Sequence, residues 1–278
     1  MSRTIALLTD FGTTDTYVGV MKGVMLDIAP ETQLVDLTHA VQPQNIQQAA
    51  FLLLNSYTYF PPRTVFLVVV DPGVGSARKP IAVQAGGYTF VAPDNGVLSY
   101  VLREIGSFQA YELENEALRL VGTSNTFHWR DIFAPAAAHF AAGTPAEQFG
   151  AQVEQPVMLA DPALTVAGKH VVGEVLHIDH FGSAVTSIGL LRWTTPQRLA
   201  LNARFGDKLS LLVPSDHAIV SFGKTLRTSI YPTYSAARQG EPLALVGSSG
   251  FLELAINGGS FAEQFGIQIG DAVELQIG

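Results

Sequence analysis

Asp71 and Arg78 are the two residues of this chain best placed by spacing to do chemistry together. They bracket the segment Val68-Val69-Val70-Asp71-Pro72-Gly73-Val74-Gly75-Ser76-Ala77-Arg78. A β-branched run delivers an acid to the end of a strand, and a Pro/Gly turn bends the chain before the arginine. An acid behind such a run is costly to bury unpaired, and arginine offers a permanent charge and five donors. Two uses follow: a structural ion pair, or an acid/base unit that positions and polarises a water. In open α/β sheets ligands lie outside the carboxyl ends of the strands, which is where both groups fall.

Three further segments put acids or a histidine at a strand end or helix start: Thr9-Asp10-Phe11-Gly12-Thr13-Thr14-Asp15, Thr126-Phe127-His128-Trp129-Arg130-Asp131 and Ile178-Asp179-His180-Phe181-Gly182-Ser183. A carboxylate such as Asp10 or Asp15 can accept two hydrogen bonds from a vicinal diol or pair with an ammonium group. Equally, Asp10 can simply end a strand and Asp15 cap a helix that begins near Thr16. Neither a GxGxxG nor a GxxxxGK[ST] pattern is present, which argues against dinucleotide and P-loop sites. His128, between two aromatics, reads as a packing residue or as a catalyst, with Arg130 and Asp131 anchoring the turn. Asp179 reads as part of a hairpin turn, or, with Phe181 and Ser183 after it, as the holder of an ammonium group in a turn that also contacts a flat ring. Near the C-terminus, Gly247-Ser248-Ser249-Gly250-Phe251 and the stretch Leu252-Glu253 to Asn257-Gly258-Gly259-Ser260 are turn-rich and supply backbone donors and acceptors suited to a heteroaromatic edge. The other histidines (His39, His139, His170, His177, His180, His217) show no HxxxH or HExxH spacing, so no metal site is expected.

The elements that must position these residues fall into two kinds. Ile5–Leu8, Leu34–Leu37, Val65–Val70, Ile81–Gln84 and Phe90–Ala92 read as strands, several apolar enough to be covered on both faces. Tyr17–Ile28, Ile46–Tyr59, Val97–Ile105 and Ile132–Ala142 read as helices, the second capped by Asn45. This alternation implies an α/β fold with a largely parallel sheet flanked by helices. After about residue 155 the helical signal disappears. Val171–Ile178, Ala184–Ile188, Lys208–Val213, Ala218–Phe222, Leu243–Val246, Phe251–Ile256 and Ala272–Ile277 read as short strands of a smaller all-β, barrel-like domain. The expected division is 1–160 for the α/β domain and 169–278 for the barrel.

Composition narrows the function classes. Of 278 residues, 47% are hydrophobic and only 14% charged, well under the usual quarter or so, which favours a well-buried core with apolar surface also hidden between subunits. The net charge is −8 with scattered basic residues, against nucleic acid or anionic membrane as a partner. Cysteine is absent, which removes disulfides, thiolate metal sites and cysteine nucleophiles. No apolar run approaches the roughly 18 residues of a membrane helix, and no secretory leader is evident at the N-terminus; the expectation is a soluble cytoplasmic protein.

The ordered succession TDFGTTD, VVDPGVGSxR, APDNG, TFHxRDIFAP, IDxFG and GSSGxLELAxNxGS spans nearly the whole chain. It resembles the S-adenosyl-L-methionine (SAM) hydroxide adenosyltransferases, hydrolases homologous to the fluorinating and chlorinating SAM enzymes. The resemblance implies attack of a water-derived hydroxide on C5′ of SAM, giving adenosine and methionine, with Asp71, Arg78 and His128 as the catalytic set. It implies Asp10 at the ribose hydroxyls, Asp15 and Asp179 at the methionine ammonium, and Ser248 and Ser249 at the carboxylate end. Asn257, Gly258 and Ser183 would meet the adenine edge, with Tyr234 stacked on it and Glu253 in the same binding set. It implies no cofactor and no metal, SAM being the substrate. It also implies a homotrimer whose sites form between the α/β domain of one subunit and the barrel of the next.

Three positions depart from the family pattern. Gln44 replaces an aromatic wall of the sugar pocket, Trp129 stands where a small residue is usual, and Ser183 shortens a donor to adenine. The alternatives these leave open are a SAM or adenosine sensor without turnover and a halide-dependent SAM halogenase. Asp71 counts against the halogenase, since halogenating relatives carry another residue there.

Overall fold

A computed structural model describes residues 3–122, 124, 126–206, 209–223 and 226–278. Contacts divide the chain into two compact units, the first ending at Leu159 and the second beginning at Ala160.

The first unit runs β1 (Thr4–Thr9), α1 (Tyr17–Ile28), β2 (Gln33–Thr38), α2 (Ile46–Leu54), β3 (Val65–Val69), β4 (Pro80–Ala85), β5 (Tyr88–Pro93), α3 (Ser99–Ile105), β6 (Phe108–Glu112) and α4 (Ala134–Ala142). Its six strands lie in the order β2-β1-β3-β5-β4-β6. β2, β1, β3 and β5 are mutually parallel, and β4 runs antiparallel to both of its neighbours. Alternation along the buried strands serves two faces at once. Ile5 and Leu7 of β1 join Val65, Leu67 and Val69 of β3 in one core with Met21 and Met25 of α1 and the alanine-rich α4. Phe66 and Phe90 stack at 5.2 Å as part of an aromatic group with Phe60, Tyr57 and Tyr88.

Several boundaries differ from the sequence reading for local reasons. The second helix stops at Leu54 and continues only as a 3₁₀ turn at Tyr57–Tyr59. Asn45 caps it, its side chain accepting from Gln48 N–H at 2.9 Å. The helix expected from Ile132 begins earlier, as a π-helical turn at Trp129–Phe133 that leads into α4. α1 has Thr16 at its N-cap and no side-chain cap bond, so Asp15 does not cap it.

The second unit is almost entirely strand: β7 (Leu164–Ala167), β8 (His170–Ile178), β9 (Ala184–Thr186), β10 (Leu191–Thr195), β11 (Arg198–Asn202), β12 (Ser210–Pro214), β13 (Ile219–Phe222), β14 (Leu226–Thr228), β15 (Ile230–Tyr231), β16 (Pro242–Val246), β17 (Leu252–Ile256) and β18 (Ala272–Gln276), with one short helix, α5 (Phe261–Phe265), that the sequence reading lacked. A nine-stranded sheet runs β14-β13-β18-β8-β9-β17-β16-β15, with β7 on β8, and a separate sheet pairs β10-β11-β12. The strand expected at Lys208–Val213 starts outside the described residues; β12 begins at Ser210. Val171, Val175, Ala184, Leu252, Leu254, Val273 and Leu275 supply the core of this barrel-like unit.

Candidate active site

In the first unit, β1 and β3 are parallel neighbours with Thr9 opposite Val69. Asp10 and Asp71 therefore leave the sheet side by side at its carboxyl edge. After Asp71 two tight turns close in succession, Val74 N–H to Asp71 O at 3.3 Å and Ser76 N–H to Gly73 O at 3.0 Å. Gly75 sits at φ +79°, a conformation L side chains rarely adopt. The double turn folds Arg78 back onto the acid that precedes it.

The result is a buried bidentate pair. Arg78 Nε donates to Asp71 Oδ1 at 3.0 Å and Nη2 donates to Oδ2. The side chains are only 8% and 7% exposed. Arg78 Nη2 also meets His128 Nδ1 at 2.8 Å, and the guanidinium stands 5.2 Å over the ring of Phe133. Nη1 is buried with no partner among the described residues. The His128 imidazole is held below its ordinary pKa by burial first and by the Arg78 charge second.

Neighbouring side chains hold this cluster, Asp131 in the turn-anchoring role the sequence suggested and Asn95 in one it did not. Asn95, in the Asp94-Asn95-Gly96 turn, donates from Nδ2 to Val70 O at 2.9 Å and so fixes the residue before Asp71. Asp131 is buried and accepts from Ser124 N–H at 2.8 Å and from Arg130 Nε at 2.6 Å, anchoring the turn that carries His128. Trp129 turns onto Phe11, Tyr17 and Phe127, with ring centroids 5.8, 5.4 and 5.9 Å away, and packs against the core beneath α1 and α4. Gln44 stands at φ +67° and donates its N–H to Asp10 Oδ2 at 2.7 Å. Asp15 is exposed.

The second unit holds a separate cavity of 710 Å³ lined by Asp179, Phe181, Ser183, Tyr234, Ser248, Glu253, Asn257 and Gly258, among others. Asp179 Oδ1 closes its own turn by accepting from Phe181 N–H at 2.9 Å and Ser183 N–H at 2.8 Å. Gly182 in that turn sits at φ +81°, where a Cβ would strike Ser260. Asn257 Nδ2 donates to Ala237 O at 2.9 Å, which pins the amide and leaves its oxygen for other partners. Tyr234 hydroxyl lies 3.5 Å from Glu253 Oε2. The Glu253 carboxyl is pushed up to about 7, by burial first and then by the charge of Asp179. Ser249, unlike Ser248, does not line the cavity. Among the described residues no group of three or more His, Asp or Glu is placed to hold a metal.

The sequence patterns of the SAM hydroxide adenosyltransferase N-terminal and C-terminal domains match residues 5–150 and 173–274. The chain belongs to the SAM hydroxide adenosyltransferase family. It is 37% identical to the (R)-S-adenosyl-L-methionine hydrolase of Thermus thermophilus over 98% of this chain and 99% of that protein. It is 29% identical to the fluorinase of Nocardia brasiliensis over 99% of this chain and 97% of that enzyme. A crystallised conserved protein of Thermotoga maritima superposes with a TM-score of 0.86 at 35% identity, covering 98% of this chain and 99% of that one. The family boundaries leave both side-chain sets inside matched segments: Asp10, Asp15, Asp71, Arg78 and His128 in the first, and Asp179 to Gly258 in the second.

Proposed function

We propose that this chain hydrolyses S-adenosyl-L-methionine to adenosine and L-methionine, using Asp71, Arg78 and His128 to present the attacking water. The oxygen of that water forms a bond to C5′ while the C5′–sulfur bond breaks. The bonding pair stays on sulfur, which becomes the neutral thioether of methionine, and the water proton passes to Asp71 and on to solvent. A sulfonium is already a good leaving group, so no general acid, metal or cofactor is called for. What the protein has to supply is a held nucleophile in a dry site.

The observation that carries this reading is the buried cluster at the carboxyl edge of β3. Both Asp71 oxygens are engaged by Arg78, and each keeps a lone pair for a water. Arg78 Nη1, without a partner among the described residues, is free to donate to the attacking oxygen as its proton passes to Asp71. Because Arg78 Nη2 can only donate, His128 Nδ1 accepts and the ring carries its proton on Nε2. His128 therefore orients the water as a donor and leaves the role of base to Asp71.

Asp10 takes the ribose hydroxyls with the oxygen that Gln44 leaves free, and Asp15 and Asp179 take the methionine ammonium. Ser248 serves the carboxylate end from the cavity wall, and Ser249, which lies outside that wall, supports the same turn. Tyr234, Ser183, Asn257 and Gly258 serve the adenine, with Glu253 in the same cavity wall. The proposed assembly is a homotrimer with its sites shared between subunits, and the mass in solution by light scattering tests it.

Incubation of the purified chain with SAM, read by chromatography for adenosine and methionine, tests the function. Equimolar adenosine and methionine, lost in Asp71→Asn with SAM binding retained, support it. Binding of SAM without any adenosine at high enzyme concentration contradicts it and favours a sensor.

A further inference from the structure

Below the Asp10 loop, Thr9, His39 and Asp36 form a polar chain that reaches the surface at Lys22. β1 and β2 are parallel neighbours with Leu8 opposite Thr38, which brings Thr9 and His39 together although 30 residues separate them. Thr9 is fully buried and His39 is 6% exposed. His39 Nδ1 lies 2.8 Å from Thr9 Oγ1, and Nε2 lies 3.0 Å from Asp36 Oδ1. Lys22 Nζ donates to Asp36 Oδ2 at 2.6 Å. Desolvation works against the Asp36 charge, but Lys22 and His39 outweigh it and keep the carboxyl below its ordinary pKa.

His39 Nε2 faces the Asp36 carboxylate at 3.0 Å without the alignment of a full hydrogen bond; since a carboxylate only accepts, this contact favours the His39 proton on Nε2. Nδ1 then accepts from the Thr9 hydroxyl, and Thr9 Oγ1 accepts in turn from Phe11 N–H at 3.3 Å. The main-chain oxygen of His39 accepts from Gly12 N–H at 2.7 Å, with Gly12 at φ +66°. The chain thus ends on residues 9, 11 and 12, which bracket Asp10 on both sides.

We propose that His39 is a positioning residue for substrate binding, acting through the Thr9 hydroxyl to aim the Asp10 carboxylate. The inference rests on the reading of Asp10 as the ribose-binding acid. Removing the Thr9 hydroxyl leaves His39 Nδ1 unsatisfied and releases Phe11 N–H, so the loop loses its register while the catalytic cluster at Asp71 stays in place.

The test is steady-state kinetics on the full chain with SAM, for Thr9→Val, Thr9→Ser, Asp10→Ala and the Thr9→Val/Asp10→Ala double variant. Thr9→Val should raise KM about tenfold with kcat within about threefold, and Thr9→Ser should restore KM. In the Asp10→Ala background Thr9→Val should add less than about twofold, because the group it positions is gone. Effects that multiply in the double variant, with Asp10→Ala alone raising KM, overturn the positioning role and leave the ribose reading standing. An Asp10→Ala variant with unchanged KM overturns the ribose reading and this inference with it. If Thr9→Val does not fold, Asp36→Ala, at a side chain 43% exposed, should raise KM in the same direction by about threefold; an unchanged KM there overturns the proposal.

Discussion

Arg78 Nη2 sits 2.8 Å from His128 Nδ1, a contact in which only the arginine has a proton to give. The pairing joins two residues 50 positions apart and decides the tautomer of the ring. It also makes protonation of Nδ1 expensive, since a second proton there would face the guanidinium. Burial and the Arg78 charge both act in that direction.

The pH dependence follows with a definite sign. A histidine whose folded pKa lies below its ordinary value of about 6.5 stays neutral through the neutral range and gains a proton only in more acid solution. kcat should be flat across neutral pH and fall below the ordinary histidine range. Stability should fall in the same direction, because the unfolded chain takes up the proton first. Initial rates measured between pH 5 and 8 check this. An acid limb centred above pH 7, with chemistry rate-limiting, is incompatible with the Arg78–His128 contact.

Asp71→Asn keeps the shape of the side chain and removes the charge. kcat should fall by about 10²- to 10⁴-fold, the usual contribution of a positioned base. Arg78 is then a buried cation with a neutral neighbour, and breaking such a pair costs about 3–5 kcal/mol; denaturant unfolding should show a loss toward the lower end of that range, since asparagine still accepts one hydrogen bond. Full activity in Asp71→Asn would refute the assignment.

Glu253 gives a stability test free of catalysis. Its folded pKa is raised to about 7, so between its ordinary value and 7 the folded state holds a proton that the unfolded state has lost. Stability from this group is greatest below its ordinary pKa and declines as pH rises toward 7. Glu253→Gln should flatten that decline and stabilise the chain above pH 7 by about 1 kcal/mol, the figure being reduced for the partial exposure of the group. Melting temperatures of the two proteins at pH 5 and pH 8 make the comparison. A Glu253→Gln variant that loses stability at both pH values contradicts the raised pKa.

Trp129 should matter to folding more than to turnover. Its ring is spent on Phe11, Tyr17 and Phe127. Trp129→Ala should cost about 2–3 kcal/mol, below the full-burial range because the ring is only partly covered, while kcat stays within about threefold. A large rise in kcat with little loss of stability would place the ring in the reacting pocket instead.

How much of this the chain disclosed before folding depends on the range of each interaction. β1 and β3 were legible because their apolar runs are covered on both faces, and Asp71 stood out as an acid closing such a run. β6 (FQAYE) and the β10–β11 pair (LRWTT and RLALN) were missed because each shows water a polar face over five residues, too few for a period to declare itself. α5 is a single short turn of five residues and lies below what periodicity resolves. The capping role offered for Asp15 went the other way: Thr16 took the cap position, and the acid stayed exposed. The Asp71–Arg78 pair was visible because a local double turn of eight residues makes it. His128 was joined to that pair only through the family resemblance, and the Asn95 clamp on Val70 and the Thr9–His39–Asp36 chain were not visible, since strand pairing and helix packing create such contacts between residues far apart in sequence.

The central claim is that oxygen from water becomes the 5′-hydroxyl of adenosine, and an isotope experiment tests it directly. Turnover of SAM in ¹⁸O-enriched water, followed by mass spectrometry of the nucleoside, should give adenosine carrying one heavy oxygen at the 5′ position. Adenosine with ordinary oxygen there, or no adenosine from a chain that binds SAM, would contradict the account.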